Sequence, residues 1–236
     1  MNNNFNNISI IIPVREGSSR VKNKVLLPFH EDLNLLEWKI DQLKKVQQSN
    51  RIIISSNSEN LKKIAYNMGV EYHDRGDYLS VGHHASFSEV ITGIVKDIQT
   101  DHFAWITVVV PLMSPEEYTE AFQLYLSEVM KSKKFDSLFS ANLVKEYLWS
   151  NNKPLNYEAS KNHTISQNLP EIYRVTNGLY MRDKVSTLAQ GYFLGENPKY
   201  HIVSKMAGID IDEWEDYEFA KAMLPFYFQK HKSSNK

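Results

Sequence analysis

The sequence contains no cysteine, and this absence excludes several classes of protein. Without thiols the chain can form no disulfide framework, no thiolate zinc site and no cysteine nucleophile. Its 27 lysines and arginines are balanced by 28 aspartates and glutamates, so it also lacks the basic excess typical of nucleic-acid-binding proteins. We therefore expect a reducing compartment and no nucleic-acid partner.

A long hydrophobic run is also absent. The longest apolar stretch, "FAWITVVVPLM" at 103–113, is about half as long as the ~20 residues that a membrane-spanning helix needs. The N-terminal "MNNNFNN" has no basic region followed by an apolar one and does not resemble a signal peptide. These features predict a cytoplasmic protein without a membrane partner. The 236 residues suffice for a single domain with a substantial core.

Strand-like and helix-like segments alternate through the first half of the chain. The predicted strands lie at 7–14, 51–56, 70–74 and 102–110. The segments between them carry apolar residues at helical spacing. A further helix after the last of these strands begins with the capping signal Ser114, Pro115 and Glu117. This alternation predicts an α/β fold with a mostly parallel sheet flanked by helices.

The composition changes between about 134 and 176, where the chain becomes polar, asparagine-rich and turn-rich. We interpret this segment as an inserted arm within a single domain that spans 1–236. The arm carries the aromatic residues Tyr147, Trp149 and Tyr157, which suit a subunit interface, although a local hydrophobic cluster would also account for them.

The loop after the first strand is rich in cations and hydroxyl groups. Its positive side chains are Arg15, Arg20, Lys22 and Lys24, and between them lie Gly17, Ser18 and Ser19. A loop at the carboxyl end of a parallel strand is where open α/β sheets bind ligands, and this composition suits a triphosphate. The loop matches neither the P-loop nor the dinucleotide-binding glycine pattern. The alternative is an ordinary solvated surface loop.

A pair of carboxylates stands near the other end of the chain. Asp210 and Asp212 alternate with Ile209 and Ile211, and strand spacing would place both carboxylates on one face. Mg²⁺ favours one or two carboxylates together with substrate phosphates. Alternatively, Asp212 caps the following helix and Asp210 is solvated. A cationic loop and a carboxylate pair together are the two halves of a site for nucleotidyl transfer.

Four segments resemble one known family in the right order, over about residues 8 to 224. "IIPVREGSSRVKNK" resembles the opening motif of the acylneuraminate cytidylyltransferases, which include the CMP-sialic acid synthetases and their relatives. "DRGDYL", "QNLPEIYRVTNGLYM" and "IDIDEWEDYEFA" resemble later motifs of that family. The resemblance implies a Rossmann-like fold and activation of a 2-keto-3-deoxy sugar acid by CTP, with release of pyrophosphate. It also implies a homodimer in which the arm crosses the interface.

The resemblance assigns roles residue by residue. The nucleotide would be bound by Arg15, Gly17, Ser18, Ser19, Arg20, Asn23, Lys24, Arg75 and Ser86. The sugar acid would be bound by Ser114, Gln167, Arg174, Asn177 and Tyr180. Asp210 and Asp212 would hold Mg²⁺, and Arg15, Lys24 and Asp212 would act in catalysis.

The chain departs from the family pattern at several positions. Ser19 replaces a lysine, Val25 an asparagine, Gly82 an aspartate and Ser166 an arginine, and the central motif reads "VVVPLMSPEE" with Pro111, Leu112 and Met113 at its centre. Arg174 could replace the missing arginine. These changes indicate an unusual sugar acid, a relaxed site or a weakened enzyme. Two alternatives therefore stay open, namely transfer of another nucleotide or to another sugar, and a non-catalytic descendant that binds nucleotide.

Overall fold

A computed structural model of the protein describes residues 5–18, 20–80 and 84–232. Two positions singled out above, Ser19 and Gly82, lie outside the described residues. The strands are β1 (Ile8–Pro13), β2 (Pro28–His30), β3 (Leu33–Asn34), β4 (Ile52–Ser56), β5 (Glu71–Asp74), β6 (His102–Ile106), β7 (Ser137–Val144), β8 (Trp149–Ser150), β9 (Lys153–Pro154), β10 (Ile172–Asp183) and β11 (Pro198–Ile202). The helices are α1 (Leu35–Lys44), α2 (Glu59–Asn67), α3 (Phe87–Val95), α4 (Pro115–Tyr125), α5 (Lys184–Gln190), α6 (Trp214–Ala222) and α7 (Leu224–Lys232).

Seven strands form the main sheet in the order β11-β7-β10-β6-β1-β4-β5. The pairs β6–β1, β1–β4, β4–β5 and β7–β11 are parallel, and only β10 runs against its two neighbours within this sheet. The prediction of a mostly parallel α/β sheet is therefore confirmed.

Helices cover both faces of the sheet and create two cores. The larger core joins β1, β4 and β6 to α1, α2 and α4, and the smaller one packs α3 against the opposite face through Ile91, Ile94 and Phe103. The central strand β1 is buried on both faces, which explains its unbroken apolar sequence. Within the described residues, no helix is long and apolar enough to cross a membrane.

The last helix, α7, packs back onto α1. The ring of Tyr227 lies 5.6 Å from that of Trp38, and its hydroxyl is hydrogen-bonded by the side-chain amide of Gln42 at 3.0 Å. Phe228 adds a second ring against Trp38 at 5.9 Å. The C-terminal helix thus forms part of the main core.

Three sequence-based expectations need correction. Residues 209–212 belong to no strand, and Ile211 N–H donates to Val109 O, in the turn after β6, at 2.8 Å. Asp212 is also not the cap of the next helix, because Glu213 occupies that position. The predicted strand at 102–110 ends at Ile106, since residues 107–110 turn away from the sheet.

The part of the predicted arm, 134–176, that lies outside the sheet is shorter than expected. β7 and the beginning of β10 pair with each other as part of the main sheet, with Val144 opposite Ile172. The segment that leaves the sheet therefore runs from 145 to 171. It contains a small hairpin of β8 and β9, and the rings of Tyr147, Tyr157 and His163 cluster beside it.

Candidate active site

A cleft of about 720 Å³ opens at the carboxyl ends of β1, β5 and β6. Pro13, Arg75 and Thr107, which stand at or just beyond these strand ends, line it. This edge is where ligands of parallel sheets bind, because the connecting loops diverge there and leave a crevice. Of the residues predicted for the site, Arg15, Arg20, Arg75, Asn177, Tyr180, Asp210 and Asp212 line this cleft.

The loop after β1 and the aspartate pair are in direct contact. Arg20 Nη2 lies 2.6 Å from Asp212 Oδ1, and Arg20 Nη1 lies 3.5 Å from Glu213 Oε1. Lys24 Nζ lies 3.7 Å from Asp212 Oδ1 and donates a hydrogen bond to Ile211 O. Two cations from the start of the chain therefore compensate the charge of an aspartate near its end.

Lys24 differs in placement from the other cations of the loop. Its side chain is buried, and it lies behind Asp212 instead of lining the cleft. The cause is local, because Val21 and Val25 on the same turn are buried and carry Lys24 inward with them. Gly17 and Asn23 hold left-handed backbone conformations, with φ of 85° and 53°, which let the loop reverse direction. Ser18 is half-buried beside Gly17.

Arg75 fixes the floor of the cleft. It is 9% exposed, and its guanidinium donates to Val14 O and to Ser80 Oγ, both at 2.9 Å. Burial and the nearby positive charge of Arg15 lower the pKa of Arg75 to about 10. Two guanidinium groups that disfavour each other's charge form a site that an anion would stabilise.

A β-bulge in β10 directs two further residues into the cleft. The register of β10 against β7 shifts between Val175 and Tyr180, and Asn177 within it has φ of 56°. Asn177 Nδ2 donates to Asp210 Oδ2 at 3.1 Å, and Asn177 Oδ1 accepts from the Tyr180 hydroxyl at 2.7 Å. Burial is the main reason why the pKa of Tyr180 is raised, so this hydroxyl stays a donor.

Asp210 is the more buried member of the aspartate pair. Burial raises the pKa of Asp210. The hydrogen bond from Asn177 and the positive charge of Lys24 lower this pKa, whereas the negative charges of Asp212 and Asp216 raise it further. Its Oδ1 atom is buried and has no hydrogen-bond partner among the described residues. An unpartnered carboxylate oxygen beside a second carboxylate fits a hard cation such as Mg²⁺. The described residues contain no cluster of three or more acidic, histidine or cysteine ligands, so substrate oxygens or water would have to complete the coordination.

An aromatic wall lines part of the cleft, and the sequence analysis did not predict it as part of the site. It consists of Tyr78, Phe87, Trp105, Tyr192 and Phe193. Phe193 stacks on Tyr180 at 4.1 Å, and Tyr192 stacks on Phe193 at 4.5 Å. The available signal was the segment "GYFLG" at 191–195, where two adjacent aromatics stand between glycines directly after a helix.

A buried arginine gives this wall its shape. Arg182 Nη1 donates to the carbonyl oxygens of Tyr192 and Leu194 at 2.8 and 2.9 Å, and Nη2 donates to Gln190 Oε1 at 2.5 Å. Its side chain is 2% exposed, so the loop's carbonyl groups replace its water shell.

Four predicted site residues do not line the cleft, although the sequence neighbours of one of them, Ser86, do. Ser86 and Ser114 are helix N-caps, paired in capping boxes with Glu89 and Glu117, and neither lines the cleft. Gln167 is exposed on the arm. Arg174 donates to Asn142 Oδ1 at 2.9 Å and to Gly208 O at 3.0 Å, beside a separate pocket of about 430 Å³.

The mostly parallel sheet, together with the arginines and paired aspartates at its carboxyl edge, has the architecture of the α/β nucleotidyltransferases. A family model described as cytidylyltransferase matches residues 9–223. The chain therefore belongs to the cytidylyltransferase family. The resemblance noted over residues 8 to 224 is confirmed at the family level.

Individual relatives are distant. The chain is 24% identical over 221 residues to the N-acylneuraminate cytidylyltransferase of Escherichia coli O18:K1:H7, covering 90% of this chain but only 51% of that protein. It therefore spans about half the length of that relative. It is 23% identical over 228 residues to the "Post-translational flagellin modification protein B" of Campylobacter coli, covering 90% of this chain and 93% of that protein.

Two solved structures share the fold. The first is a CMP:2-keto-3-deoxy-manno-octonic acid synthetase complexed with CTP, with a TM-score of 0.67 at 13% identity, covering 92% of this chain and 98% of the other. The second is the 4-diphosphocytidyl-2C-methyl-D-erythritol synthase of Anaerococcus prevotii, with a TM-score of 0.57 at 16% identity and the same coverage. At these identities the likeness shows the fold alone.

Proposed function

We propose that the protein transfers CMP from CTP to a 2-keto-3-deoxy sugar acid of the nonulosonate or octulosonate type and releases pyrophosphate. The observation that carries this proposal is that Arg15, Arg75 and the Arg20–Asp212 ion pair all line the same cleft. The names of the E. coli relative and of the CTP-bound structural neighbour support the same class of acceptor.

The cations of the site would have two roles, because some would bind the triphosphate and one would position the aspartate pair. Arg15 is exposed at the cleft and Arg75 forms its floor, so these two guanidinium groups would bind the triphosphate oxygens of CTP. Gly17, Ser18 and Asn23 would shape the loop that carries Arg15. Lys24, which is buried against Ile211 and Asp212, would act in catalysis by holding the aspartate pair in place.

Asp210 and Asp212 would hold Mg²⁺, which when bound supplies positive charge against the α-phosphate and the leaving pyrophosphate. The anomeric hydroxyl oxygen of the sugar acid forms a bond to the α-phosphorus of CTP, and the bond from that phosphorus to the bridging oxygen of pyrophosphate breaks. The hydroxyl proton would pass to one of two acceptors, Asp210 or solvent water. A pH–rate profile of Asp210 variants separates them.

The sugar acid would lie between the Asn177–Tyr180 pair and the aromatic wall. Asn177 offers amide groups, Tyr180 a hydroxyl, and the wall offers apolar surface. Because Ser114, Gln167 and Arg174 do not line this cleft, any contact they make with the acceptor would need a rearrangement or a second subunit.

We also propose a homodimer that joins through the arm. Trp149, Leu155 and Ile165 are each more than half exposed on a segment that leaves the sheet. Exposed aromatic and aliphatic side chains on a projecting hairpin suit a subunit interface.

The decisive experiment combines the purified protein with CTP, Mg²⁺ and a panel of nine-carbon and eight-carbon keto sugar acids. We expect pyrophosphate release with at least one acid, and a product mass equal to that acid plus CMP. Parallel reactions with ATP, GTP and UTP test the nucleotide. A clear preference for another nucleotide would contradict the proposal, and CTP binding without turnover on any acceptor would favour a non-catalytic descendant.

A further inference from the structure

A lysine lies at the centre of the main core without an ion-pair partner among the described residues. Lys39, on α1, is 0% exposed, and its Nζ donates to Val110 O at 2.8 Å and to the Tyr118 hydroxyl at 2.9 Å. Burial lowers its pKa to about 7, partly opposed by the charge of Glu117. A buried ammonium held only by neutral acceptors destabilises a fold relative to an apolar side chain of the same size.

The neighbours of Lys39 on α1 bind the same turn. Trp38 Nε1 donates to Pro111 O at 2.8 Å, and Gln42 Nε2 donates to the same oxygen at 3.0 Å. Three side chains of one helix thus hold two consecutive carbonyl groups, those of Val110 and Pro111. Helix α1 therefore holds the turn at 107–111, which follows β6, through hydrogen bonds to its last two carbonyl groups.

The same turn also binds the segment that carries the aspartate pair. Val109 lines the cleft, and its carbonyl oxygen accepts the Ile211 N–H at 2.8 Å. Ile211 is fully buried between the two half-buried aspartates, and its own carbonyl accepts from Lys24. Lys39 therefore binds the carbonyl of Val110, and the adjacent carbonyl of Val109 binds the backbone between Asp210 and Asp212, so the peptide chain of the turn connects the two hydrogen bonds.

We propose that Lys39 is a positioning residue whose side chain holds the 107–111 turn and, through the Val109–Ile211 hydrogen bond, the backbone that presents Asp210 and Asp212. The part of this proposal that concerns catalysis rests on the proposed function. Lys39 touches no substrate, because it lies wholly below the cleft. Its amino group donates to two acceptors that no apolar side chain could bind, and this offsets part of the cost of burying it.

The test compares Lys39→Met with the wild type and with Lys44→Met. Methionine fills most of the lysine volume but has no donor, and Lys44 is an exposed residue of the same helix. Hydrogen–deuterium exchange of the segment 209–212 reports on the Ile211 N–H directly and needs no substrate. Steady-state kinetics of pyrophosphate release then give kcat, the KM for CTP and the Mg²⁺ concentration at half-maximal rate.

We expect faster exchange at 209–212 in Lys39→Met, with Lys44→Met matching the wild type. We also expect the Mg²⁺ concentration at half-maximal rate to rise and kcat to fall, each by about tenfold or more, the size found when groups that orient metal ligands are removed. The KM for CTP should change by less than about threefold, because Arg15 and Arg75 do not depend on this turn.

Unchanged exchange at 209–212 in folded Lys39→Met, or a kcat within twofold of Lys44→Met, overturns the proposal. If Lys39→Met does not fold, Lys39→Gln replaces it. That side chain retains a neutral donor but is shorter, so we expect a smaller change in the same direction, and a folded Lys39→Gln with wild-type exchange and turnover is equally contradictory. If the wild type turns over no acceptor, the proposed function fails while the exchange measurement still tests the role of Lys39.

Discussion

Arg20 and Asp212 are separated by 192 residues in the sequence, and their side chains meet at 2.6 Å. The contact joins the loop after the first strand to the segment before α6, and Lys24 reinforces it from behind. An exposed ion pair of this kind contributes little to stability, typically about 0–1 kcal/mol. Its importance lies in geometry, because it sets the position of the Asp212 carboxylate at the edge of the cleft.

Replacing Asp212 by asparagine should abolish most of the turnover with little loss of stability. The substitution keeps the shape of the side chain but removes the charge that Arg20 and Lys24 now compensate, so we expect kcat to fall at least about 100-fold. Pyrophosphate release at saturating CTP measures this. Glu213→Gln is the control, since Glu213 is exposed and lies 3.5 Å from the same arginine. Turnover of Asp212→Asn equal to that of the control would remove Asp212 from the catalytic residues.

Replacing Asp210 by asparagine should stabilise the free protein at neutral pH. Because burial raises the pKa of Asp210, its carboxyl favours the fold while protonated, and this contribution is lost as the pH rises through the raised pKa. A neutral asparagine can still accept the Asn177 hydrogen bond at every pH. We expect Tm at pH 7 to exceed that of the wild type, with the difference shrinking as the pH falls toward the ordinary range of aspartate titration near about 4.

The same variant tests the metal assignment. Mg²⁺ should raise the Tm of the wild type, because a ligand that binds only the folded state stabilises it, and it should have little effect on Asp210→Asn. An Asp210→Asn protein that is less stable than the wild type at pH 7 would contradict the expected cost of the buried carboxylate.

Phe193 and Tyr192 should respond differently to alanine although they are adjacent. Phe193 is 3% exposed and stacked on Tyr180, so its loss should cost about 3–5 kcal/mol of unfolding free energy in urea titrations. Tyr192 is 42% exposed at the cleft, so its loss should cost less than about 1 kcal/mol but should raise the KM of the acceptor more than that of CTP. Equal stability losses for the two variants would show that the wall is ordinary core.

Removing the apolar surface of the arm should separate the proposed dimer. Size-exclusion chromatography with light scattering should give about twice the 27.4 kDa chain mass for the wild type and the single-chain mass for the double variant Trp149→Ser with Leu155→Ser. Tyr66→Ser, at an 85% exposed position on α2, serves as the control. A monomeric wild type would exclude the dimer.

The sequence predicts the architecture well because each prediction depends on local patterns. The alternation of strand-like and helix-like segments predicts the parallel sheet. The Ser114–Glu117 capping box marks the start of α4 as expected. Ser114 also shows the limit of motif matching. Its hydroxyl accepts from Glu117 N–H and is buried, so a residue that fits a family pattern here serves the helix end.

The features that escaped prediction depend on tertiary contacts or on burial that the sequence patterns do not reveal. The bulge that aims Asn177 at Asp210 arises from a register shift between β10 and β7, and no local pattern encodes it. The inward turn of Lys24 follows from the burial of its neighbours Val21 and Val25, and the composition of a cationic loop gives no sign of it. Lys39 falls among apolar residues in a helical pattern, where a lysine ordinarily indicates the solvent face.

The packing of α7 onto Trp38 and Gln42 has a practical consequence for work with this protein. The family match ends at residue 223, and α7 begins at Leu224. Shortening the chain at the end of that match would uncover the tryptophan and leave the Gln42 amide without its tyrosine partner. Both side chains also donate hydrogen bonds to Pro111 O, so preparations trimmed in this way should lose activity through a helix that does not line the cleft.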